Sequence, residues 1–138
     1  MIEHQDAKMT EPTREQDFVA RQVVDSAFAV HTTLGPGLLE SVYEQCLAHE
    51  LSSRNIAVER QVSIPVTYRG ALIDAAFRMD MVVAGMVVVE VKAIEKMIPV
   101  HAAQLLTYLK LSRYPIGLLI NFNVPLIKDG IRRMVRSL

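Results

Sequence analysis

Asp80, Glu90 and Lys92 are the residues in this 138-residue chain whose types and spacing could do chemistry. They lie in the stretch 78–92, where two apolar, β-branched runs, Met81-Val82-Val83 and Val87-Val88-Val89, flank Ala84-Gly85, a short linker of the kind that joins antiparallel strands. Neither run alternates with polar residues, so both faces should be covered and the hairpin should lie inside a sheet. Charges placed there are costly unless something compensates them. Strand alternation puts Glu90 and Lys92 on one face and Val91 on the other, and pairing through the turn brings Asp80 within reach of Glu90. Two carboxylates crowded into a poorly solvated site repel, and a divalent cation relieves that repulsion. An ion pair between Glu90 and Lys92 would also compensate the charge, and the three residues alone do not separate the two accounts.

The surrounding elements must hold these groups together. Thr13 and Gln16 fit a capping box, and Val19, Val23, Ala27, Val30 and Leu34 follow at helical spacing until Gly35-Pro36-Gly37. A second helix is expected from about Leu38 to Arg54, with Leu39, Val42, Cys46 and Leu47 as apolar contacts. The spacing of Gly37, Glu40, Tyr43 and Leu47 puts Glu40 on or beside its buried face. A hydrogen bond from Tyr43 or from a backbone amide would satisfy that glutamate without chemistry. From Ile56 to Tyr68 apolar residues alternate, and Pro65 marks an edge strand or a bulge. Leu72 to Phe77 leads into the central hairpin. A third helix opens at Pro99, with Ala102, Leu105, Leu106 and Leu109 as its core stripe and with His101, Gln104 and Tyr108 as its polar residues. Ile116 to Ile120 reads as a buried strand. The tail from Leu126 carries Lys128, Arg132, Arg133 and Arg136, reads equally as strand or helix, and has the character of a solvated basic segment.

Composition narrows the classes. Half the chain is hydrophobic (51%) and 22% is charged, which suits one globular domain over residues 13–138, preceded by a polar leader at 1–12, and the strands interspersed with helical segments make it an expected α/β domain with a mixed central sheet. Fifteen basic and fifteen acidic residues cancel, so any contact with nucleic acid must be local. A single cysteine, Cys46, excludes an internal disulfide and a four-cysteine metal or iron-sulfur site, and favours a reducing compartment. No apolar run is long enough for a membrane span and no signal pattern opens the chain, so a cytoplasmic location is the expectation.

The words Gly37-x-x-Glu40-x-x-Tyr43, Leu34-Gly35-Pro36-Gly37, Gln104-Leu105-Leu106-Thr107-Tyr108 and Asn121-Phe122-Asn123-Val124-Pro125 occur in this order, together with Asp80 and Glu90-x-Lys92. The chain resembles the GxxExxY protein family, small domains of the PD-(D/E)xK nuclease superfamily, from about residue 15 onward. That resemblance implies a restriction-endonuclease-like core and a metal-dependent nuclease site. Glu40, Asp80 and Glu90, with the Val91 carbonyl, would bind Mg²⁺ or Mn²⁺, and Lys92 would assist catalysis. Gln104 and Tyr108 would form the QxxxY element seen in RecB-like nucleases and position the substrate, expected to be DNA. A catalytically idle module that uses the same fold to bind a partner protein or nucleic acid is the alternative. The sequence leaves a homo-oligomer open.

Overall fold

The computed structural model describes residues 11–136, with the backbone alone at 75 and 76. Most of the expected leader, residues 1–12, therefore lies outside the described residues. Helix α1 (Arg14–Leu34) opens with the capping box: Thr13 Oγ1 accepts from the Gln16 amide at 3.1 Å, and Gln16 Oε1 accepts from the Thr13 amide at 2.8 Å. It stops where Gly35 takes φ 66°, a conformation that a side chain resists, and donates its amide to the His31 carbonyl. Helix α2 (Glu40–Ser53) follows, then strands β1 (Val58–Tyr68), β2 (Ala71–Val83) and β3 (Val87–Lys92), helix α3 (Pro99–Ser112), strand β4 (Ile116–Asn121), a single 3₁₀ turn (Ile127–Gly130) and strand β5 (Ile131–Val135).

Five described strands form one sheet in the order β1-β2-β3-β4-β5. Only β3 and β4 run parallel, because helix α3 carries the chain across between them; the other neighbours are antiparallel. The mixed α/β sheet expected from the sequence is present, and β3, buried on both faces, is its centre. Val87, Val89, Val91, Leu118 and Ile120 face α1 and α2, whereas Val88 and Leu119 face α3. Helix α3 comes close because Gly117 has no side chain: a Cβ there would meet Leu105 Cδ1 at 2.9 Å. That close approach sets the height of Tyr108, one turn further along α3, over the sheet.

Tyr43 fastens α2 to the loop before it. Its hydroxyl donates to the Gly35 carbonyl at 2.5 Å and accepts from the Leu38 amide at 3.1 Å, while its ring stacks on Phe122 at 4.6 Å. Tyr43→Phe should cost about 1 kcal/mol in urea unfolding, because two hydrogen bonds in a partly wetted loop are lost and the stack is kept. A variant as stable as the wild type would show the hydroxyl to be dispensable.

Several expectations need correction. Helix α2 begins two residues later than Leu38, and Leu39 is 73% exposed instead of packed; the buried stripe is Tyr43, Glu44, Leu47, Ala48 and Leu51. Glu40 is accordingly exposed, since the first helical turn overhangs the end of the core. Leu106 is exposed too, and Tyr108 takes its place in the core stripe of α3. The central turn spans three residues, Ala84 to Met86, and β2 is one continuous strand from Ala71. Pro65 marks both features that it could: β1 is an edge strand, and its pairing slips between Ile64 and Val66. The tail ends as an edge strand after the 3₁₀ turn.

Candidate active site

Two irregularities of the sheet meet at Asp80. Pairing of β2 with β3 ends at Met81 and Val89, whereas β3 stays paired with β4 through Glu90, Val91 and Lys92. Strand β2 thus leaves β3 at the level of the two carboxylates. The amides freed by this parting are taken up by side chains: the Asp80 N–H donates to Glu90 Oε2 at 2.8 Å, and the Val91 N–H donates to Asp80 Oδ2 at 2.8 Å. Each carboxylate is fixed by the other's strand. Asp80 Oδ1 and Glu90 Oε1 accept no hydrogen bond from the described residues.

The second irregularity lies across the sheet. The β1–β2 ladder holds one register from Val58 to Ile64 but skips Gln61 opposite Asp80, and Gln61 has φ 53°. Above this point Val58, Met81 and Val83 face α1 and α2; below it Val62, Ile64, Phe77 and Met79 face α3. Both strands therefore exchange faces here, so that Asp80 sits where the two sides of the sheet meet.

Burial dominates the electrostatics. Glu90 is 4% exposed, and its pKa is pushed up to about 8, first by loss of solvent and then by the charge of Asp80; the Asp80 amide and Lys92 oppose this less strongly. Asp80 rises to about 6, chiefly by burial, with the Val91 amide working against it and Glu44 and Glu40 adding repulsion. The Tyr108 hydroxyl, on α3, is raised by burial and, less, by the charges of the same two carboxylates. Lys92 is half-buried and lowers both carboxyls, yet it closes no ion pair with either. The Glu90–Lys92 ion pair is thus not what compensates the buried charge.

The remaining residues divide. Gln104 is exposed beside buried Tyr108, whose ring lies against Phe77 at 5.4 Å. Glu40 stands at the entrance of α2 and reaches the pair through its charge alone. His101 Nδ1 accepts from the Ile98 amide at 3.1 Å and caps α3. Asn121 braces the segment after Lys92: its Oδ1 accepts from the Ile94 and Asn123 amides, and its Nδ2 donates to the Ile94 carbonyl at 2.9 Å. Arg133 of the basic tail is engaged with Asp17 on the surface. Sequence reasoning missed Glu44, which is 5% exposed and feeds repulsion into Asp80. The spacing 43, 44, 47, 48, 51 of the α2 stripe could have found it.

The donor set suits a hard divalent cation. Two fixed carboxylates, Glu90 buried and Asp80 half-buried, each keep an oxygen without a hydrogen bond, and mutual repulsion leaves them short of positive charge. Among the described residues no three His, Cys, Asp or Glu side chains converge into a ready-made cluster. A cation would therefore meet two carboxylates and complete its shell with water or phosphate oxygens, as Mg²⁺ commonly does.

A mixed sheet between helices, with two carboxylates and a lysine where its strands part, is the core of a restriction-endonuclease-like fold. The sequence pattern of the PD-(D/E)XK nuclease superfamily matches residues 17–134, and the chain belongs to that superfamily. No curated protein and no solved structure matches the chain.

Proposed function

We propose that the protein is a nuclease that hydrolyses phosphodiester bonds of DNA with Mg²⁺ or Mn²⁺. The observation that carries this reading is the Asp80–Glu90 pair, locked by strand amides and held in a site too dry for two negative charges. Asp80 and Glu90 would hold the cation, with the Val91 carbonyl beside them and Glu40 adding negative potential from α2. When bound, the cation supplies an acidified water and offsets charge growing on the phosphorus. Lys92, on the same strand face as Glu90 and unpaired with it, orients the attacking water and neutralises the transition state. Tyr108 covers the carboxylates from α3, and exposed Gln104 contacts the phosphate backbone. The GxxExxY and QxxxY words support the same roles, and the free Cys46 suits a cytoplasmic setting.

The test is incubation of the purified protein with linear, circular and single-stranded DNA and with RNA, each with and without Mg²⁺ or Mn²⁺. DNA should be cut only when the cation is present. If every substrate survives while the protein binds nucleic acid, the chain is the idle binding module instead.

A further inference from the structure

Glu44 is buried, negatively charged and held by two consecutive residues of β1. Arg60 donates to its Oε2 from Nε at 3.1 Å and from Nη2 at 2.9 Å, and Gln61 Nε2 donates to both of its oxygens at 3.1 and 3.0 Å. None of these hydrogen bonds reaches Asp80, Glu90 or Lys92. In a regular strand, neighbouring residues point to opposite faces, so Arg60 and Gln61 can grip one carboxylate only because Gln61 leaves the strand conformation. Its φ of 53° is costly for a residue with a long side chain, and such outliers persist only where the surroundings enforce them. The exchange of faces that follows is the one that sets Asp80, opposite Gln61, between the two sides of the sheet.

We propose that Glu44, Arg60 and Gln61 form a positioning bracket that holds the β1–β2 reversal and thereby presents Asp80 to the divalent cation, without touching the cation or the substrate. The proposal rests on the metal-dependent reading of the site. It assigns Glu44 a place in the site's support, one helical turn beyond the glutamate of the GxxExxY word, and it explains a strained glutamine that packing alone leaves unaccounted for.

Gln61→Asn separates positioning from folding. Asparagine tolerates the left-handed conformation better than glutamine, so the backbone is not stressed, but its amide is one methylene too short to reach Glu44. Mn²⁺ affinity measured by calorimetry on the full chain should fall about tenfold, the order seen when supports of metal ligands are removed, with the melting temperature within a few degrees of wild type. The reciprocal exchange Glu44→Gln with Gln61→Glu restores an amide-to-carboxylate contact between α2 and β1 and should recover most of the affinity. Unchanged Mn²⁺ affinity in Gln61→Asn overturns the bracket while leaving the metal site standing. A wild type that binds no Mn²⁺ overturns both. If Gln61→Asn does not fold, the exchange variant decides: affinity as weak as that of Glu44→Gln alone overturns the proposal.

Discussion

Lys92→Met is expected to keep divalent-ion binding and to lose cleavage on the order of 100-fold to 1000-fold, the usual effect of removing one group that stabilises charge in the transition state. The substitution keeps an unbranched apolar stem and removes only the charge. In the folded protein that charge closes no ion pair with Asp80 or Glu90, and burial raises both carboxyls despite it. Removing it should therefore shift stability little. A structural counter-ion would behave in the opposite way, because breaking a buried ion pair costs about 3–5 kcal/mol. Melting temperature, Mn²⁺ affinity and DNA cleavage measured together distinguish the two. An active wild type whose Lys92→Met variant cuts DNA at an unchanged rate would remove Lys92 from the mechanism.

How far the sequence reached depends on what each feature needs. The central hairpin was legible because runs such as Val87-Val88-Val89 have no polar alternation, and the capped helices were legible from Thr13, Gln16 and Pro99. Burial at helix ends was not. Periodicity gives Glu40 a face but cannot say where the core stops, and α2 starts beyond it, which exposes both Leu39 and Glu40. The approach of Asp80 to Glu90 followed from the turn, whereas the means by which they are fixed did not. The crossed amide-to-carboxylate bonds arise because β2 parts from β3, a property of long-range pairing with no local signature. The exchange of faces at Gln61 was equally hidden, since a glutamine in an alternating stretch carries no mark of positive φ. Glu44 shows the reverse: the spacing of its stripe is legible, whereas the GxxExxY word points to Glu40 one turn earlier.

Glu90→Gln should abolish Mn²⁺ binding and, in the metal-free protein, remove a loss of stability that the wild type suffers as pH rises. The sign follows from linkage. Glu90 has a folded pKa of about 8 against an ordinary value of 4.5, so between these pH values the unfolded chain has released a proton that the folded chain retains. Stability then falls with increasing pH across that window by about 1.4 kcal/mol per unit at most, and Asp80, raised from 3.8 to about 6, adds to the fall in the lower part. The folded pair gives up its protons in two steps, and near neutral pH it holds one. A divalent cation must displace that proton, so wild-type affinity should strengthen from pH 6 to about pH 8 and then level off. Glutamine keeps an oxygen for the Asp80 amide but cannot ionise. The variant's advantage in urea unfolding should therefore be small at pH 5 and grow to a few kcal/mol by pH 8, in chelator, as wild-type Glu90 is forced toward its charged form. Excess Mn²⁺ should stabilise the wild type and leave the variant unmoved. Equal pH profiles for the two proteins in chelator would show that Glu90 ionises as an ordinary surface carboxylate, and the dry, charge-deficient pair would no longer be available to hold a metal.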